Sequence, residues 1–122
     1  TMAPGSTLLA TNAFTEVQSF ELRTAKAVAW AVQYHPEYPL REIAAILRRA
    51  TTLVTEGFFA DDAERARFAH DLDALDMDPG TRHIAWRLGI DETVLDPAIR
   101  TRELRNWITG LVIPGMTRRG RG

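Results

Sequence analysis

The 122-residue chain contains no cysteine, a single lysine and only two serines, Ser6 and Ser19. Without cysteine it forms neither disulfides nor thiolate-ligated zinc sites, and it has no thiolate nucleophile. No apolar run approaches the ~20 residues that span a bilayer. These absences favour a cytoplasmic protein without a membrane contact. The 45% of apolar and 25% of charged residues are typical of a globular chain.

Strand patterns are nearly absent, whereas start and stop signals of helices are frequent. Asn12 is a candidate N-cap for a first helix that reaches Tyr34, where the chain meets two prolines. A second helix begins near Pro39 and shows apolar residues at helical spacing up to a stop at Gly57. The order of these signals predicts helices joined by short loops.

Three further helices are predicted from their caps. Asp61-x-x-Glu64 has the spacing of a capping box for a third helix. Asp78-Pro79 begins a short fourth helix that Gly89 ends, and Asp96-Pro97 begins a fifth. The sequence therefore predicts an all-α fold, a single compact bundle of about five helices. Its expected parts are a disordered leader over residues 1–11, a helical bundle domain over 12–113 and a basic disordered tail over 114–122.

Basic residues concentrate in the last third of the chain, although the net charge is −1. Within residues 78–110, the spacing of Ile84, Ala85, Leu88, Gly89 and Leu95 is that of a helix-turn-helix motif. Pro97 falls where the recognition helix should lie, so the motif is degenerate. Our first hypothesis is a non-enzymatic regulatory module that binds DNA or another nucleic acid through arginines of this segment and the tail: Arg82, Arg87, Arg100, Arg102, Arg105, Arg118 and Arg119.

Aromatic residues suggest a second hypothesis, a protein-interaction or adaptor module that binds a partner protein or forms a homodimer. Trp30 interrupts the polar face of the predicted first helix, and Phe58 and Phe59 are adjacent to each other. Such side chains anchor interfaces when they are exposed. Trp30 lies four residues after Lys26, so on a helix it would alternatively cover the lysine stem.

Glu21 falls in the middle of the apolar face of the predicted first helix, which makes it a candidate buried charge. A buried carboxylate needs a partner or a raised pKa. Arg48, Arg65 and Arg87 are the candidate partners on other helices. If the pKa is raised instead, Glu21 becomes a candidate acid–base group.

Motifs for catalysis are weak. His35 lies in a proline-rich turn and His83 in the short fourth helix, and neither has a recognisable nucleophile nearby in the sequence. His70 and Asp73 are three residues apart, but no second pair completes a metal site. We therefore expect no metal and no cofactor. A third hypothesis remains, a small helical enzyme that acts on an anionic metabolite through Lys26, Glu21 and an arginine.

Overall fold

The computed structural model describes residues 2–119, and of residues 117–119 the backbone alone. The chain divides into two compact units, one formed by residues up to 36 together with those from 102 onward, and the other by residues 37–101. The first unit contains a three-stranded antiparallel sheet and the second is helical. The fold is thus mixed α/β, and the prediction of a single all-α bundle is wrong.

The sheet consists of β1 (Ser6–Ala10), β2 (Ser19–Arg23) and β3 (Val28–Val32) in the order β1-β2-β3. Both pairs are antiparallel. In the second pair Glu21 lies opposite Trp30. The expected leader over residues 1–11 is therefore also wrong, because β1 lies within it.

A tight turn over Thr24–Ala27 joins β2 to β3. The amide N–H of Thr24 donates to the carbonyl oxygen of Ala27 at 2.9 Å, and the Thr24 hydroxyl oxygen accepts the amide N–H of Ala27 at 3.0 Å. These bonds satisfy the turn locally, as Thr side chains often do. The prediction of one helix from Asn12 to Tyr34 is wrong because this turn and the cross-strand pairs outweigh the high helix propensity of the alanines in this segment.

The second unit contains short helices around one long one. Its hydrophobic core is formed by Leu40, Ala44, Ala69, Leu72, Leu75, Ile84 and Ala85. The apolar face of the helix over Leu40–Arg49 packs on the long helix over Asp62–Met77, as the helical spacing of its apolar residues predicts. The helices are α1 (Leu40–Arg49), α2 (Thr52–Thr55), α3 (Asp62–Met77), α4 (Arg82–Leu88), α5 (Glu92–Leu95) and α6 (Pro97–Arg100).

The predicted N-cap of α3 is confirmed, because the Asp61 carboxylate accepts the amide N–H of Glu64 at 2.7 Å. The second bond of the predicted capping box differs, because the Glu64 carboxylate accepts the amide N–H of Ala60, one residue before the N-cap, at 2.7 Å. Gly89 ends α4 in the left-handed conformation at φ 66°, and the amide N–H of Ile90 donates to the carbonyl oxygen of Ala85 at 2.9 Å. This is the predicted glycine stop.

The last part of the chain is helical to residue 119. α7 (Arg102–Trp107) continues through a π-helical turn (Ile108–Val112) into α8 (Ile113–Arg119). Pro114 has no N–H to donate to the carbonyl of Gly110, and its ring would crowd that carbonyl in an α-helix, which explains the wider turn. The predicted stop near Gly110 and the disordered tail from residue 114 are therefore wrong over the described residues. Among these residues, no helix is both long and apolar enough to cross a membrane.

Candidate functional site

His35 follows the end of β3 in a short irregular segment. The amide N–H of Gln33 donates to the carbonyl oxygen of Gln18 at 2.8 Å, which extends the pairing of β2 and β3 by one residue. The backbone then bends at Gln33 and Tyr34, and His35 is exposed. Segments that follow strands often carry functional side chains because the sheet fixes where they begin. The imidazole is thus accessible and close in the chain to a fixed strand end.

Pro36, which follows His35, is buried, and Glu37 after it is exposed. The proline ring fixes its own φ near −65° and restricts His35 to extended backbone. An imidazole and a carboxylate thus stand two positions apart in the sequence, on either side of a proline. His-and-carboxylate sets of this kind are typical of general-base chemistry.

Tyr34 is held beside His35 by a long-range contact. Its hydroxyl donates a hydrogen bond to the Glu103 carboxylate on α7. Burial, together with the hydrogen bond and the negative charge of Glu103, raises the pKa of Tyr34 from 10.0 to about 12. The nearby hydroxyl of buried Ser19 offsets part of this rise in the pKa of Tyr34. Among the described residues, the Ser19 hydroxyl forms no hydrogen bond of normal geometry. The tyrosine therefore remains a neutral donor well above neutral pH.

We expect Glu103→Gln to lower the pKa of Tyr34 from about 12 towards 10.0, since the charge that disfavours phenolate is removed. Phenolate absorbance measured during an alkaline titration, in a Tyr38→Phe background, checks this on one phenol. Because the folded-state pKa lies above 10.0, this group stabilises the fold below about pH 10 and the contribution is lost as the pH rises through about 12. An unchanged titration curve in Glu103→Gln would contradict the assignment.

Glu21 is placed differently from the sequence prediction. It lies on β2, where its carboxylate accepts from Arg23 Nε at 2.5 Å and from Trp30 Nε1 at 2.8 Å. The hydrogen bonds from Trp30 and Arg23 hold its pKa below the ordinary value. A raised pKa is thus wrong, and its partner is an arginine on its own strand rather than Arg48, Arg65 or Arg87. Trp30 lies on a strand and not on a helix with Lys26, and its partly buried indole N–H donates to Glu21.

The arginines predicted to bind nucleic acid have varied surroundings. Arg87 forms an ion pair with Asp71 at 2.6 Å, and Arg100 Nη1 donates to the carbonyl oxygen of Val94 at 2.7 Å. Arg82, Arg102 and Arg105 are exposed. The side chains of Arg118 and Arg119 lie outside the described residues.

The helix-turn-helix-like segment has short helices after its turn. α5 has four residues, and Asp96 then caps α6 by accepting the amide N–H of Ala98 at 2.7 Å. α6 also has four residues, with Pro97 at its first position as the sequence predicts. Neither helix has the length over which a recognition helix presents several side chains to a groove.

Of the aromatic residues predicted to bind a partner, Phe58 is 71% exposed. Phe59 packs edge-to-face on Phe68, with 5.6 Å between ring centroids. Trp86, which the sequence analysis passed over, is 90% exposed and lines a groove of about 920 Å³ together with Ile90. Its exposure follows from its place on α4, because it lies two residues from both Ile84 and Leu88 and therefore on the side of the helix away from the core.

The other two histidines lie on helices. His70 on α3 and His83 on α4 are exposed. His70 lies in a cleft with Arg67 and with the Arg87–Asp71 ion pair. Among the described residues, no group of three or more histidine or acidic side chains could hold a metal ion.

Comparison with known proteins gives one informative relative. The chain is 27% identical over 122 residues to a γ-glutamyl-L-1-hydroxyisopropylamide hydrolase of a Pseudomonas species. The alignment covers 98% of this chain but 41% of the hydrolase. The chain thus spans about two fifths of the length of the curated relative that it matches. No family model and no solved structure matches the chain.

The sequence predictions gave no role to the segment His35-Pro36-Glu37. It was set aside because no nucleophile is near it in the sequence. The signal that could have found it is a carboxylate two residues after a histidine at the end of a strand, and β3 was mistaken for part of a helix.

Proposed function

We propose that this chain is the histidine-bearing part of an amidase that hydrolyses γ-glutamyl amides. The observation that carries the proposal is its similarity, over nearly its whole length, to a hydrolase named for such a substrate. His35 is the proposed general base, and Glu37 is the proposed carboxylate that orients and stabilises its imidazolium form. The position of His35 three residues after the end of β3 and the spacing of the two residues along the chain support these roles.

The nucleophile comes from polypeptide outside these 122 residues. The chain has no cysteine, and the hydroxyl oxygens of Ser6 and Ser19 are both buried. Cysteine and serine are the nucleophiles that a histidine base most often activates in acyl transfer. The matched hydrolase is more than twice as long as this chain, which leaves room for such a residue.

In the proposed reaction His35 accepts the proton of the nucleophile while this attacks the γ-carbonyl carbon. The imidazolium then protonates the leaving amine as the C–N bond breaks. A water molecule, deprotonated by the same histidine, cleaves the acyl intermediate and restores the nucleophile. The products are glutamate and a free amine, so atoms and charges balance without an added co-reactant.

A chimera tests this function: the Pseudomonas hydrolase with its matched segment replaced by residues 1–122. We expect the chimera to hydrolyse γ-glutamyl-L-1-hydroxyisopropylamide and the isolated chain to show no hydrolysis above background. The unmodified hydrolase is the positive control. A chimera that is folded by circular dichroism but inactive contradicts the proposal, and so does hydrolysis by the isolated chain.

The other hypotheses stay predictions. None of the contacts described above tests nucleic-acid binding, a protein partner or a homodimer. A cytoplasmic location is likewise a proposal that rests on the absence of cysteine.

A further inference from the structure

We propose that the outer edge of β3 is the docking edge for an extended strand of the polypeptide that supplies the nucleophile. This inference rests on the proposed function for the identity of the partner. Its geometry rests on the sheet alone.

The outer edge of β3 has three unpaired backbone positions. The amide N–H of Gln33 points to β2, because it donates to Gln18. Backbone groups alternate sides along a strand, so those of Ala31 and Ala29 also face β2. Those of Val28, Trp30 and Val32 face away from β2. Among the described residues the sheet has no strand beyond β3, so these N–H and C=O groups have no partner strand.

This edge lacks the features that normally keep a strand from pairing with another chain. β3 has the sequence Val-Ala-Trp-Ala-Val, without charge or proline, and its pairing with β2 is regular over all five residues. The opposite edge is different, because the pairing of β1 is shifted by an irregularity between Leu8 and Ala10. Exposed edges in isolated proteins are usually blocked by charges, prolines or bulges. The β3 edge is therefore suited to accept a strand.

One face of the sheet is apolar and incompletely covered. Residues opposite each other in the register point to the same face, and successive residues alternate. The face carries no charged residue, and none of its side chains belongs to the buried core, which lies wholly within residues 37–101. Leu8 on this face is 41% exposed. The other members are Ser6, Phe20, Leu22, Ala29 and Ala31. This face thus offers apolar surface beside the β3 edge that a further strand and its flanking polypeptide could cover.

The nucleophile-bearing polypeptide fits this edge better than a second copy of the chain. A second copy would add no cysteine, and its two serine hydroxyls would be buried as in the first. β3 ends three residues before His35, so a strand paired with it would run beside the start of the histidine segment. Main-chain pairing of this kind is a recurrent mode of recognition.

Amide hydrogen exchange followed by NMR in the isolated chain and in the chimera tests this. In the isolated chain we expect the amides of Trp30 and Val32 to exchange fast. In the chimera we expect them to exchange at least about 100-fold more slowly, since they become paired. Ala29 and Ala31 pair with β2 and are internal controls that should be slow in both proteins.

Two proline variants of β3 form a matched pair, one on its outer edge and one on the side that pairs with β2. Val32→Pro removes only an outward N–H, so it should lower the melting temperature of the chimera and speed exchange at Trp30, with little effect on the isolated chain. Ala31→Pro removes a bond to β2 and should lower the melting temperature of both proteins.

Three results would overturn the docking edge: a chimera that does not fold, Trp30 and Val32 amides that stay fast in a folded chimera, or protection in the isolated chain that rises with concentration. The last would identify a second copy as the occupant. His35→Ala should leave the exchange pattern unchanged. A chimera that is inactive but protected at these amides would contradict the proposed function and leave the docking edge standing.

Discussion

Replacing His35 by alanine in the chimera is expected to lower kcat for the γ-glutamyl amide by at least about 10³-fold, with a much smaller change in KM. The reason is that the imidazole moves a proton in the transition state but need not contact the bound substrate. Without it, water must take up the proton of the nucleophile, and the leaving amine departs unprotonated. Steady-state kinetics on the purified variant, with folding verified by circular dichroism, measures both constants.

His70→Ala and His83→Ala are the matched controls for this variant. Both remove an exposed imidazole, one from α3 and one from α4. We expect both to keep kcat within about threefold of the unsubstituted chimera, because surface substitutions of this kind have small effects. Equal losses of kcat in all three variants would mean that the substitutions act by destabilising the fold and not through catalysis. If His35→Ala keeps more than a tenth of kcat, His35 is not the general base.

The variant Glu37→Gln distinguishes the role of the proposed base, His35, from that of the carboxylate proposed to orient it. The amide keeps the size of the carboxylate but cannot stabilise an imidazolium by charge. A loss in kcat that is large but smaller than that of His35→Ala is the result expected of a positioning residue.

The helices of residues 37–101 could be predicted from the sequence because their signals are local. Asp61 and Glu64 cap α3 within one turn, and Gly89 supplies the left-handed residue that ends α4. Each signal lies within a few residues of the backbone group that it satisfies. Such caps depend little on the rest of the fold.

The sheet could not be predicted in this way, because its stabilising pairs are distant in the sequence. The Trp30 indole binds Glu21 nine residues away, and Ala10 pairs with Ser19 across a loop. Read as a helix, the same residues place Glu21 on an apolar face. Alanines at positions 25, 27, 29 and 31 add helix propensity, which tertiary pairing overrides.

The candidate site was missed for a related reason. A histidine is recognised as a base by what lies near it in space, and the proposed nucleophile is not in these 122 residues. Within the chain, only the strand before His35 and the carboxylate after it indicate a site. The sequence pattern of β3 predicts a helix, so the strand is not recognised from the sequence.

Leu75→Ala is expected to destabilise residues 37–101 by about 2–5 kcal/mol. Leu75 is 0% exposed and belongs to the core cluster with Leu72 and Leu40. Truncation removes buried methyl groups and leaves a cavity, because the close-packed residues around it relax only partially. Urea unfolding followed by far-ultraviolet circular dichroism gives the free energy of unfolding.

Met77→Ala is the control for this variant, since Met77 lies on the same helix two residues later and is 87% exposed. It should change the free energy of unfolding by no more than about 0.5 kcal/mol. This contrast tests which face of α3 is buried, independently of any function. Similar losses in the two variants would mean that the side of α3 carrying Leu75 does not form the core. A loss under about 1 kcal/mol in Leu75→Ala would show that the site collapses on truncation, contrary to the packing described here.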